Sequence, residues 1–196
     1  MIVEDILVKI RSRLKDEDYN DLRFSDDEII DNLNNALSYL IGTYDFNLQS
    51  KTSKLKHPPH KGIKIPFLLK IKKAYFNNKP LNTRTNIQKS PTEPLSLFIH
   101  NELISVTPFK EGELKLIYNE FIPLKSPEDE IPLPFFVASF LVYGTLCNIL
   151  EVNTQDENYN KIGFFLNLKK TEENNIVAAM NRIYCNDKLQ SKVIMI

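Results

Sequence analysis

The sequence predicts an α+β protein that is mainly a helical bundle, built from the N- and C-terminal segments, with a small antiparallel β-unit inserted between them. Three observations carry this expectation. Apolar residues recur at three- and four-residue spacing near both ends, strand-like alternation is confined to the middle, and prolines and asparagines punctuate the joins. A chain of 196 residues suits one domain with an insertion and is long enough to bury roughly two thirds of its unfolded surface. Its 42% hydrophobic content and mean hydropathy of -0.28 fit a globular protein and argue against a disordered or fibrous one.

Ile2, Val3, Ile6, Leu7, Ile10 and Leu14 predict an amphipathic helix from residue 2 to about 16, with Lys9, Arg11 and Arg13 on its polar face. Asp16-Glu17-Asp18 then reads as a solvated turn. Ser25 followed three residues later by Glu28 is a capping box, which ties up backbone donors that a helix start leaves free. Asp26 and Asp27 suit the positive end of the helix dipole. Phe24 is placed to pack on Ile29 across the cap, the stripe runs on through Ile30, Leu33, Leu37, Leu40 and Ile41, and Gly42 is the expected C-cap. Residues 1–45 are thus an N-terminal helical pair, and Ser25 and Glu28 have a structural role.

Residues 46–62 read as a basic, proline-containing arm, because His57-Pro58-Pro59-His60 cannot continue a helix. Residues 63–134 form the β-insertion and a Pro-rich connector. Turns are expected at Asn77-Asn78, at His100-Asn101-Glu102 and at Lys110-Glu111-Gly112, with strands from Leu95 to Ile99, Leu103 to Thr107 and Glu113 to Phe121. Residues 135–186 complete the bundle with two helices. The first, Phe135 to about Glu151, is very apolar and belongs at the centre. The second, about Asp156 to Asn186, has a wholly polar middle, Lys169 to Asn175, where a break or protrusion is expected. Residues 187–196 are a tail ending Val193-Ile194-Met195-Ile196, an apolar segment that either docks on a partner or folds back onto its own core.

Charge is balanced overall, with 25 basic and 25 acidic residues, yet unevenly spread. Phe46 to Thr92 contains 11 Lys and Arg and no carboxylate, leaving 14 basic and 25 acidic residues elsewhere. Lys51, Lys54, Lys56, Lys61 and Lys64 are therefore candidates for contact with a neighbouring subunit, another protein or DNA. Catalytic and cofactor motifs are lacking. No GxGxxG, GxxxxGK[ST] or GxSxG pattern occurs, and the three histidines and two cysteines lack metal-ligand spacing, so no enzyme activity, metal or cofactor is expected. Cys147 and Cys185 lie in apolar helical patterns, as expected of reduced thiols in a cytoplasm. The acidic N-terminus does not resemble a signal peptide. Phe135 to Leu150 is shorter than the ~20 apolar residues that span a bilayer.

Leu22-Arg23-Phe24-Ser25-Asp26-Asp27-Glu28 followed by Leu33-Asn34-Asn35-Ala36 resembles the second-helix signature of tailed-bacteriophage head-to-tail adaptor (connector) proteins, in which an aromatic, a Ser/Thr cap and acidic residues precede Leu-Asn-x-Ala. Leu68 to Leu81 is similar to the strand-turn of that family, Leu114 to Tyr118 to its later strand, and Glu130-Ile131-Pro132-Leu133-Pro134 to its Pro-rich connector. The likeness extends from about Leu7 to Leu168. It implies a non-enzymatic virion protein of the neck between capsid and tail, assembled in the host cytoplasm. It also implies a dodecameric ring that contacts the portal protein and a downstream tail or nozzle protein around double-stranded DNA, with no membrane involved. The concentration of lysine departs from the family pattern. A second expectation, from the residues alone, is a nucleic-acid-binding protein that uses the Lys-rich segment 51–89, with Phe67, Tyr75 and Phe76 available for stacking.

Overall fold

The computed structural model describes residues 1–16, 18, 22–56, 62–84, 94–100, 103–152 and 156–184. The chain divides into two compact units, residues 1–37 with 124–196 and residues 38–123, and the boundary falls inside a helix.

The first unit is helical. Helix α1 (Val3–Leu14) buries Val3, Ile6, Leu7 and Ile10, the stripe expected from their spacing. Its first donors are not capped by a side chain. Instead the Val3 N–H donates to Asp129 O at 3.0 Å and the Glu4 N–H to Pro127 O at 2.9 Å, so the connector closes the helix end. Helix α2 (Asp26–Tyr44) begins in this unit, with Ile29, Ile30, Leu33 and Leu37 buried. It does not stop at Gly42. The helix runs to Tyr44, and left-handed Asp45 (φ 56) and Asn47 (φ 52) turn the chain, since Asp and Asn also tolerate that conformation.

A 3-10 turn (Phe135–Val137) leads into α3 (Ala138–Val152), whose Phe140, Leu141, Leu146, Cys147 and Ile149 are almost completely buried. This is the central helix that its composition demands. Gly144 lets α2 come close, because a Cβ there would lie 3.2 Å from Cβ of Ala36. Helix α4 (Asp156–Tyr184) is continuous through Lys169 to Asn175, contrary to the expected break. That stretch contains Lys169, Lys170, Glu172 and Glu173, good helix formers, and the helix needs little apolar surface because it is largely exposed.

The second unit corrects the expected proportions. Helix takes 47% and strand 28% of the described residues, so the fold is α+β but not a mainly helical bundle with a small β-unit. Among the described residues there are eight strands: β1 (Leu48–Leu55), β2 (Ile63–Lys64), β3 (Leu68–Phe76), β4 (Lys79–Pro80), β5 (Asn82–Arg84), β6 (Ser96–His100), β7 (Leu103–Thr107) and β8 (Gly112–Glu120). One sheet has the order β1-β8-β3-β4 and is antiparallel throughout. The other has the order β2-β7-β6-β5, in which β2, β7 and β6 are antiparallel and β5 adds in parallel.

The two sheets share one apolar core, formed by Leu55, Ala74, Phe76, Leu114, Leu116 and Tyr118 from the first and Leu97, Ile104 and Val106 from the second. Much of the additional sheet comes from residues 46–62. Leu48–Leu55 pairs with β8 over its full length, and its Ser, Thr and Lys residues are compatible with an edge strand that buries only Leu55 completely. Asn77 (φ 45) and Asn78 (φ 64) make the β3–β4 turn with the left-handed backbone that their sequence predicts. Gly112 is required where β8 begins, because a Cβ there would run into the Phe76 ring and the Asn77 amide.

Candidate functional site

The α2 start is built as the cap spacing predicts. Ser25 Oγ accepts the Glu28 N–H at 3.2 Å, and Phe24 and Ile29 on either side are buried. Among the described residues the reciprocal bond from the Glu28 carboxylate is absent, so the box is half closed. Asn34, in the Leu-Asn-x-Ala stretch, reaches a segment 90 residues away. Its Nδ2 donates to Leu124 O and its Oδ1 accepts the Leu124 N–H, both at 2.9 Å. One side chain thereby reproduces a backbone pairing and fixes where the connector begins. Asn148 Nδ2 on α3 donates to Asn32 O at 3.3 Å, which adds a second tie to the same stretch.

A buried ion pair lies beside this cap. Arg11 and Asp16 are 4% and 7% exposed, Arg11 bonds Asp16 Oδ2 at 2.9 Å, and its second terminal nitrogen bonds Asp26. Asp16 also accepts the Arg23 N–H at 2.8 Å and the Phe24 N–H at 3.3 Å. Arg11 is therefore not on a solvated helix face and Asp16 is not in a solvated turn. A charge this buried persists because two carboxylates face the guanidinium and Asp16 is further held by two backbone N–H groups. The only sequence signal was an Arg inside the stripe of α1, between Ile10 and Leu14.

The candidate lysines do not form one patch. Lys51 and Lys54 point to opposite faces of β1, Lys56 is exposed just beyond it, and Lys64 is exposed on β2 in the other sheet. Lys61 lies outside the described residues, as do Val193, Ile194, Met195 and Ile196 of the expected docking tail. Lys70 is 3.7 Å from Asp45, and Lys72 is ion-paired with the same carboxylate.

What the structure does bring together is a set on the outer face of the first sheet. The register places Lys54 opposite Glu113, Thr52 and Tyr75 on either side of Lys115, and Ser50 and Lys73 on either side of Ile117. Lys54, Lys73, Lys115 and Glu113 are exposed. Lys115 lies outside the acid-free run, so counting charges along the chain missed it. Its place opposite the buried Leu114-x-Leu116-x-Tyr118 alternation was the available signal.

Catalytic geometry is not assembled among these groups. Among the described residues no set of three His, Cys, Asp or Glu side chains is grouped to hold a metal. A cleft of ≈ 600 Å³ in the β-unit is lined, among the described residues, by Phe76, Asn77, Lys79, Pro80, Leu81, Leu95, Pro108, Phe109 and Lys110, none of which offers a carboxylate, imidazole or thiol as general base. Burial pushes the Cys147 thiol above its ordinary value, with Lys169 opposing and Glu151 reinforcing the shift, so it is a core group rather than a nucleophile. Burial, then Glu120, raises Tyr118 in the same way. Among the described residues no helix is long and apolar enough to cross a membrane. Comparison with known proteins found no family model that matches the chain and no curated protein similar to it.

Proposed function

We propose that this chain is a structural adaptor of a tailed bacteriophage, a non-enzymatic protein that forms a ring between portal and tail in the neck of the virion. By the family resemblance the ring is dodecameric, encloses the DNA channel, and meets the portal on one side and a tail or nozzle protein on the other. The observation that carries this proposal is the part played by the signature residues. Ser25 caps α2, Asn34 holds the connector at Leu124, and Ala36 packs close to Gly144, so these three signature positions have architectural tasks.

Support also comes from exposed apolar side chains of the helical unit, which suit a subunit that is covered by neighbours. Phe135 is 71% and Phe164 60% exposed, and Leu166, Val177 and Ile183 on α4 are exposed as well. The test is co-sedimentation of the purified protein with its cognate portal, paired with a filter-binding assay on free double-stranded DNA. An adaptor pellets with the portal. A protein that ignores the portal but binds free DNA with a steep salt dependence is instead a nucleic-acid-binding protein.

A further inference from the structure

We propose that the outer face of the β1-β8-β3 sheet is a subunit contact, and that it receives the acidic surface around the start of α1 of a second copy of this chain. This rests on the ring proposed above and names the surfaces that close it. The first argument is the division of charge. Residues 38–123 hold 13 basic and 6 acidic residues, and the rest of the chain holds 12 and 19, so the two units carry net charges of +7 and -7 that cancel. A head-to-tail ring presents one surface of each copy to a different surface of the next, and opposite charges on those surfaces favour that register over self-pairing of like faces.

The second argument is local. Lys54, Lys73 and Lys115 occupy neighbouring positions on one sheet face, with strands about 4.8 Å apart and same-face residues about 6.7 Å apart along a strand. Among the described residues none of the three is ion-paired. Counter-charge is concentrated in the helical unit, where Glu4 and Asp5 in the first turn of α1 lie beside Glu128 and Glu130 of the connector, brought there by the Glu4 N–H to Pro127 O bond and the Ile2–Glu130 bridge. All four of these carboxylate residues are exposed.

The third argument separates a protein partner from a nucleic acid. Glu113 sits opposite Lys54 on the same face, which interrupts a phosphate track but suits a partner that offers both signs. The acidic surface offers exposed Lys125, whose N–H is held by the Asp129 carboxylate.

The experiment is a charge swap read by sedimentation velocity at low and high salt. One variant carries Lys54→Glu, Lys73→Glu and Lys115→Glu; the other carries Glu4→Lys, Asp5→Lys and Glu130→Lys. Thermal melts first establish that both fold. Wild-type protein assembles at low salt and loosens as salt rises. Each variant alone self-associates about tenfold or more weakly. An equimolar mixture of the two recovers assembly, because the reversed faces now complement each other. Normal assembly of the lysine variant, or folded variants whose mixture stays apart, overturns the contact while leaving the adaptor proposal standing. Loss of DNA binding in that variant with assembly intact assigns the face to nucleic acid and likewise overturns it. A wild-type chain that forms no ring, alone or with portal, removes the adaptor proposal itself.

Discussion

In the helical unit, polar side chains join segments distant in sequence alongside the backbone bonds that tie the α1 start to the connector, whereas in the β-unit backbone ladders and an apolar core carry most of that task, with Asn119 Nδ2 adding a buried bond to Phe46 O at 2.8 Å. Arg11 with Asp26, Asn34 with Leu124 and Asn148 with Asn32 each hold a junction of the helical unit. In the β-unit, β8 pairs along most of its length with β1 on one side and β3 on the other, and Lys54, Lys115 and Lys73 on the outer face of these three strands are left in water. Helices satisfy their backbone groups internally, so side chains must specify how they meet. Strands specify their neighbours through the backbone, which frees side chains on one face for other uses.

The contrast predicts where substitutions hurt. The largest effect is expected at Asp16→Ala, which removes the main partner of a buried guanidinium and strands the Arg23 and Phe24 N–H groups. Urea unfolding should show a loss of about 3–5 kcal/mol. A loss below about 1 kcal/mol would mean that Arg11 is solvated and the junction is held by apolar packing alone. Leu116→Ala, in the middle of the shared β core, should cost about 3 kcal/mol through the cavity it leaves, while Lys73→Ala on the opposite face should stay within about 0.5 kcal/mol. Comparable losses from the two would break the assignment of faces.

Asn34→Ala leaves both backbone groups of buried Leu124 without their partner, with an expected cost of about 2 kcal/mol. Asn34→Asp should be milder, since it keeps the acceptor for the Leu124 N–H. Equal losses from the two, measured by the same unfolding curves, would show that the acceptor bond contributes nothing. Ser25→Ala should cost less than the Asn34 substitution, about 1 kcal/mol, because its bond to the Glu28 N–H is exposed. An unchanged melting temperature would place the functional helix start elsewhere.

The same contrast explains what the sequence revealed. The α2 start was legible because a cap is written within four residues, and α3 was legible because its composition leaves it nowhere but the centre. The turn at Asn77 and Asn78 was equally local. By contrast β1 was hidden: an edge strand of Ser, Thr and Lys carries no alternation that differs from an extended arm, and only its pairing with Gly112–Glu120 makes it a strand. The parallel pairing of β5 with β6 is one that no local pattern records. Arg11 and Asp16 were misjudged because charged residues near a helix end are ordinarily solvated, and their burial depends on Asp26 and the residue 23–24 backbone arriving from the other side. Among the candidate lysines, proximity in sequence was a poor guide to proximity in space, since a three-residue step along a strand changes face.

The most direct test of the adaptor proposal is electron microscopy of the purified protein mixed with its cognate portal, with each component imaged alone. The expected result is a closed ring of this chain seated coaxially on the portal, its helical and β-units repeating around an open channel. Particles of bare portal beside monomers of this chain, at concentrations where both are folded, would contradict it.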